Sequence, residues 1–521
     1  MTSPEPCCLL TAPCFVVSDH ADDRTGLTLP ALLARLCDPA QTTIGFPGLQ
    51  AHQAHAWHAF LVQVAALIGH RVGRRELPAD AAWWTDRLRE LGGGEAAWTL
   101  VVEDLSQPAF MQPPVPEGSL KDFDLAASFS AESDIVLTAR NHDYKAKPFP
   151  ADPLTWIYGL VTVQTTQSYS GKSKYGGFRM NGASGNRIGV GVAPSHELGA
   201  WFRQDAASLM NYRDEIVQAQ GFAQEGHALL WACPWAGTAD LKIETIDPFA
   251  IEVCRRLRIA IEGEAWHLFK TGTKAERLVI AKTKEKGAQK WLCQNAYGDP
   301  WTPVGNRDKR TGKALTLPET GFTYPLTAQL VLSDGWATPP VMRRTPTTGE
   351  PIWYGRTLVK GGQGKIGGWH ERQVPIPANV LDDFAEPQAH ERLRLQAQSM
   401  VAWAGCLRDG VLRPVLKILW HTREKRGAVG QALERVELAI DARFFPHLWQ
   451  HVDEAGCQSW RQELARLAAE TLEAEIRRLG PGRQRWQRIA KANDGLDYRL
   501  HRCTHKVLGV FLPPVSATVT A

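Results

Sequence analysis

QELARLAAETLEAEIRRLGPG, residues 462–482, sets Leu464, Leu467, Ala468, Leu472 and Ile476 at intervals of three and four. That spacing collects them on one face of an α-helix, with Glu and Arg on the other. Outward from this run, which reaches back to 444 and on to 479, the same period returns at about 380–408, 411–441 and 482–508. Breakers fall between the segments at Gly410, Pro446 and Gly480-Pro481. Four amphipathic helices with short connections predict a four-helix bundle over 377–510. A seam of Leu, Ala and Ile leaves little room for a cofactor, so the bundle reads as structural or partner-binding. The tail 511–521, ending PPVSATVTA, is expected to be disordered.

Upstream of Pro377 the pattern changes. From about 225 to 375, short β-like runs such as LKIETI, RLVIA and PIWYGRTLV are interrupted by Gly and Pro. The first thirty-five residues read as strand, turn, strand and helix, and HAWHAFLVQVAALIGH (55–70) reads as a buried helix. A chain of 521 residues exceeds a single core. The expected fold class is α+β: a large irregular mixed α/β domain over 1–376, carrying the loops discussed below, followed by the bundle.

Composition excludes several classes. No run of eighteen apolar residues is present, so no membrane partner is expected. MTSPEPCCLL lacks the basic region of a signal peptide, and a cytoplasmic location is expected. Ten cysteines without a C-x₂-C pair support neither a zinc site nor a disulfide framework. His501 and His505 share a helix face that Cys503 leaves, and read as surface residues. The cluster Asp19, His20, Asp22 and Asp23 fits a hairpin tip better than a two-metal site. No metal and no cofactor is expected. The net charge of +4 is small, but between Cys254 and Lys313 fourteen Lys and Arg face six Asp and Glu, an excess of eight. Charge concentrated in this way suits a surface that tracks phosphates.

Two glycine-rich stretches have the chemistry to meet a polyanion: SGKSKYGGFRMNGASGNRIGVG (170–191) and LVKGGQGKIGGWHER (358–372). Glycine backbone can approach a ligand closely, and Lys and Arg attract phosphate. Neither is a P-loop. Gly364-Lys365 is followed by Ile366, and Val359 stands where the first glycine belongs.

Taken in order, the phrases CLLTAPCFVV, GLTLPALLARL, QPAFMQ, the NHD of ARNHDYKAKPF, KYGGFRMNG, IDPFAIEVCRRLRI, GDPWTPVG and GGQGKIGGWHER, ahead of a helical C-terminus, resemble the CasA family. That family is the large subunit of Cascade, the type I-E CRISPR surveillance complex. The resemblance implies a non-enzymatic subunit that reads a short flanking motif (the protospacer-adjacent motif) in double-stranded target DNA and helps to open the strands. Its implied partners are the guide-RNA-bearing backbone and small subunits and a helicase-nuclease effector. Base pairing to the guide reads the rest of the target.

Residue by residue, the resemblance puts motif readout at Gly176, Gly177 and Phe178, with Lys174 replacing one of the family's glycines. It puts a lysine entering the minor groove at Lys290, with Lys286 and Lys284 as competitors. A wedge falls between Gly361-Gly362 and Glu371-Arg372, where Gln363, Gly364, Lys365 and Ile366 stand. Asn141, with His142, Lys145 and Lys147, matches the segment that anchors the subunit to the guide complex. The alternative left open by the residues alone is a nuclease or RNA-processing enzyme, although no H-N-H or G-x-S-x-G arrangement stands in a fitting context.

Overall fold

The computed structural model describes residues 6–18, 26–43, 45–126, 152–166, 176–177, 179, 187–238, 241–262, 265–279, 295–308, 311–343, 350–359, 368–420, 425–450, 454–479 and 482–511. The chain divides into two compact units. One comprises 1–322 with 335–375, the other 323–334 with 376–521. The second unit thus takes up a short helix from within the β-rich region.

The first unit opens with β1 (Phe15–Val16) paired to β2 (Gly26–Leu27), then α1 (Leu29–Cys37). The Thr28 side chain caps α1 by accepting from the Ala31 N–H, and Pro30 sits in the first turn, where its missing N–H costs nothing. Helix α2 (Ala54–Arg71) is buried on every side from His55 to Gly69, as its mainly apolar sequence requires, and its buried Gln63 donates to the Phe249 carbonyl at 3.1 Å. Its Trp57 and Phe60 stack at 5.3 Å, and Phe60 meets Phe110 edge-on at 5.7 Å. Helix α3 (Ala81–Gly92) is capped by Asp80 and ends at Gly93, whose φ of 67° is left-handed backbone that glycine adopts without strain. Helix α4 (Pro153–Thr165) follows its own cap, Asp152. Helix α5 (Leu198–Gln220) lies on α2.

Small sheets fill the rest of this unit. In chain order the strands are β3 (Asp124–Leu125), β4 (Ile188–Ala193), β5 (His227–Leu229), β6 (Leu241–Lys242), β7 (Ile246–Ile251), β8 (Arg256–Glu262) and β9 (Ala265–Thr271). They are followed by β10 (Leu278–Val279), β11 (Val304–Gly305), β12 (Trp336–Ala337), β13 (Ile352–Val359) and β14 (Gly368–Pro375). Strands β3, β9 and β8 make one antiparallel sheet, and β14, β13 and β4 another. The basic reading of 254–313 is partly internal: Arg255, Arg258 and Arg277 are buried. Arg258 donates to the Gln107 and Val102 carbonyls at 3.0 Å, and Arg277 to the Cys233 carbonyl at 2.8 Å. These side chains hold loops together.

The second unit is helical. Its elements are α6 (Tyr324–Val331), α7 (Ala378–Ala385), α8 (Pro387–Gly405), a π-helical turn (Cys406–Leu412), α9 (Arg413–Leu419), α10 (Lys425–Gln450), α11 (Glu454–Leu479) and α12 (Arg483–Phe511). Two expected breakers do not break. Gly410 is absorbed in the wider π-turn. Pro446 lies inside α10, just ahead of its last turn, where one lost hydrogen bond is offset by burial of Phe444, Phe445, Leu448 and Trp449 around it. The seam is less uniformly apolar than its sequence suggests. Leu464, Leu467, Ala468 and Leu472 are buried, but so is Glu475, which accepts from Arg435 at 2.6 Å and from the Trp420 indole at 3.2 Å. Cys406 and Cys503 come together in this unit, a pairing that cysteine spacing did not indicate.

Candidate nucleic-acid interface

The sheet β4–β13–β14 brings the two glycine-rich stretches to one place. Strand β4 leaves the first stretch at Ile188, which pairs with Thr357 of β13. Strands β13 and β14 are the arms of the hairpin carrying the second stretch, and Val359 pairs with Gly368 at its base. Since β13 is antiparallel to both neighbours, both stretches leave the same end of the sheet. Arg356 secures the hairpin by pairing with Glu371 across the two strands at 2.8 Å. Arg356 and hydrogen bonds from Gln373 and Trp369 outweigh burial and hold the Glu371 carboxyl below the usual range.

A third segment is tied to that end. Arg187, immediately before β4, pairs with Asp299 at 2.8 Å, and neither side chain reaches solvent. Asp299 also accepts from the Trp301 N–H and the Thr302 hydroxyl, each at 3.0 Å. The same Thr302 hydroxyl, whose one proton is shared between the two acceptors, lies 2.9 Å from the Ile188 carbonyl, and the Val190 N–H donates to the Trp301 carbonyl at 3.0 Å. Asp299 stands four residues after Asn295, the first described residue beyond the lysine-rich segment, so Asn295 lies within about 15 Å of Asp299.

The phrase around Gly176 is held from within. The Gly176 N–H donates to the Cys254 carbonyl at 3.2 Å, and a Cβ there would fall on the Val253 carbonyl and the Trp235 ring. Arg179 is buried and donates to the carbonyls of Ala250 and Pro248, both at 2.6 Å, while its own N–H reaches Glu252 at 3.1 Å. Burial, reinforced by the Arg187 charge, pushes the Arg179 pKa down to about 10. Gln164, at the end of α4, bridges the same segment by donating to the Met111 carbonyl at 2.9 Å and the Arg255 carbonyl at 3.0 Å. Described residues of the phrases QPAFMQ, KYGGFR and IDPFAIEVCRR therefore meet in one knot.

Two further glycines of the first stretch face inward. A Cβ on Gly189 would strike the His55 ring, and one on Gly191 the Tyr354 hydroxyl. Below this strand the Asp205 carboxylate accepts from the Trp201 indole at 3.1 Å and lies 2.9 Å from the His58 ring. Burial, with Arg187, His58 and Arg356 nearby, pulls the His55 pKa well below its ordinary value and keeps the ring neutral.

Of the residues singled out from sequence, Gly176 and Gly177 are described and both are buried. Phe178, Lys174, Lys284, Lys286, Lys290, Gln363, Gly364, Lys365, Ile366, Asn141, His142, Lys145 and Lys147 lie outside the described residues, as do Asp19, His20, Asp22 and Asp23. Arg179, Arg187 and Asp299 were missed. The Asp-Pro-Trp phrase was the available signal, since an acidic residue amid apolar neighbours asks for a buried partner. Among the described residues no group of His, Cys, Asp and Glu is arranged to hold a metal, and no helix is long and apolar enough to cross a membrane.

No protein-family model and no curated protein matches the sequence. Solved structures do. CasA from Thermus thermophilus superposes with a TM-score of 0.60 at 15% identity, over 96% of this chain and 100% of that one. The CRISPR-associated protein Cse1 from Acidimicrobium ferrooxidans does so with a TM-score of 0.60 at 14% identity, over 98% and 99%. A chain of a CRISPR RNA-guided surveillance complex matches with a TM-score of 0.60 at 12% identity, over 96% and 100%. Along nearly its whole length, this chain has the fold of the CasA (Cse1) proteins.

Proposed function

We propose that this protein is the large, DNA-recognising subunit of an RNA-guided type I-E CRISPR Cascade complex, acting in antiviral defence. The observation that carries the reading is the shared origin of three segments. Two glycine-rich stretches leave one end of the β4–β13–β14 sheet, and the Asp-Pro-Trp phrase that follows the lysine-rich segment in sequence is bound to that end through Arg187 and Asp299. A duplex laid across this end would meet all three at once.

In this reading the stretch containing Lys174, Gly176, Gly177 and Phe178 reads the flanking motif. Minor-groove edges offer a sparse code of acceptors with one added donor at G·C, which close backbone approach can sense. Lys290, Lys286 and Lys284 supply phosphate or groove contacts. Gln363, Gly364, Lys365 and Ile366 form the wedge that starts strand separation, offsetting an unstacking cost of a few kcal/mol through the contacts it makes. Asn141, His142, Lys145 and Lys147 bind the guide-bearing assembly. The chain performs no chemistry itself and supports recruitment of the helicase-nuclease.

The test is reconstitution. Guide-RNA-loaded backbone and small subunits are incubated with labelled duplexes that do or do not carry a flanking motif, with and without this chain. Motif-dependent binding that requires the chain supports the reading. Binding indifferent to its presence removes it. Cleavage of DNA or RNA by the chain alone with Mg²⁺ or Mn²⁺ would establish the enzymatic alternative instead.

A further inference from the structure

We propose that Cys406 and Cys503 form a reversible, redox-responsive disulfide that fastens the last helix of the chain. Cys406 opens the π-helical turn after α8, and Cys503 lies on α12, ninety-seven residues later. Their Cα atoms are 6.0 Å apart, within the span a disulfide bridges, and the two cysteines are paired. Cys7, Cys8, Cys14 and Cys37, all in the first unit, carry free thiols.

The placement favours a link that opens and closes. Cys503 is buried, at 6% exposure, whereas Cys406 is half-buried, so a soluble oxidant meets Cys406 first. The first half of α12 has its own anchors. Arg488 donates to the Leu419 carbonyl at 3.2 Å, and the bare backbone at Gly495 lies against Val415 and Ile418 of α9. Cys503 lies beyond both anchors in α12 (Arg483–Phe511), so the bond adds a tether toward the far end of the helix without being needed to seat the near one.

With glutathione disulfide as the oxidant, the exchange balances. The Cys406 thiolate attacks one sulfur of the oxidant; a mixed disulfide forms, the glutathione S–S bond breaks, and one glutathione thiolate leaves. The Cys503 sulfur then attacks the Cys406 sulfur and expels the second glutathione. Two protein thiols are oxidised to one disulfide, and one glutathione disulfide is reduced to two glutathiones, which take up both thiol protons. Excess reduced thiol runs the sequence backwards.

The experiment uses the full chain. After incubation with glutathione disulfide, free thiols are alkylated and the protein is digested without reductant for mass spectrometry. The expected product is a linked peptide pair containing Cys406 and Cys503, absent from Cys406→Ser and from Cys503→Ser. Closing so long a loop should raise the melting midpoint of the helical transition by about 10 °C. It should also slow hydrogen exchange over 499–511, both effects reversing with dithiothreitol. Cys406→Ser, at the half-buried position, keeps the comparison valid if Cys503→Ser fails to fold. A stable glutathione adduct on Cys406 without the linked pair overturns the proposal, as does a linked pair that changes neither melting nor exchange.

Discussion

Asp299 meets the Arg187 guanidinium at 2.8 Å inside the protein, joining one glycine-rich stretch, just before its strand begins, to the phrase that follows the lysine-rich segment. Removing one member strands the other charge away from water. Arg187→Met is expected to destabilise the unit by about 3–5 kcal/mol. The double variant Arg187→Met/Asp299→Leu should recover much of that loss, because no charge is left unpaired. Urea unfolding of the two variants checks both statements; equal stability of the single variant and the parent would show that the pair carries no weight.

Gly176 is required by its own protein before any ligand. Gly176→Ala would push a methyl group onto the Val253 carbonyl and Trp235, at a cost of about 1–3 kcal/mol. A loss of target binding in this variant therefore has to be compared with its melting temperature. If recognition is lost while melting is unchanged, the glycine faces DNA rather than the core.

The lysines of the 280–294 segment carry the electrostatic part of the proposed function. Lys290→Ala in the reconstituted complex should weaken duplex binding and reduce the slope of log K against log salt by about one. Lys284→Ala and Lys286→Ala are the internal comparison. A slope unchanged in all three variants would remove the segment from phosphate contact.

A Gln363→Ala/Lys365→Ala double variant should slow strand opening more than it slows duplex association. A fluorescent base analogue beside the flanking motif, followed by stopped flow, separates the two rates. Parallel slowing of both would mean that these side chains grip DNA rather than part it.

His55 predicts a pH response. Its pKa is depressed by burial and nearby cations, so the folded ring stays neutral while the unfolded ring protonates below about 6.5. Below that pH the unfolded state binds the extra proton, and stability falls by about 1.4 kcal/mol per pH unit from this group alone. The contribution is fully present above pH 6.5. Thermal melts from pH 7.5 to 5.0 should show a steeper decline for the parent than for His55→Gln; identical slopes would place the response elsewhere.

How much of this was legible in the sequence depends on the range of the interaction involved. The cap at Thr28 with Pro30, the stop at Gly93 and the stripe Leu464–Leu472 are fixed by neighbours three or four residues away, and all were readable. The pairing of β4 with β13 spans more than 150 residues and is decided by packing, which no local pattern reports. The arginines misled for a related reason: a count of charges cannot distinguish one in solvent from one donating to buried carbonyls, as Arg258 and Arg277 do. At the site, the glycine-rich phrase singled out Gly176 for motif readout, whereas its inward packing depends on Val253, seventy-seven residues away in sequence.

Gly189 and Gly191 occupy the same face of β4, and both positions are filled by rings from elsewhere, His55 and Tyr354. A strand gripped in this way cannot slide by a residue, because either direction would drive a valine or isoleucine side chain into space already taken. The sheet end is therefore a fixed datum, like the bed of a gauge. If the proposed function holds, selection for a different target motif would rewrite the stretches that leave it without disturbing where they start.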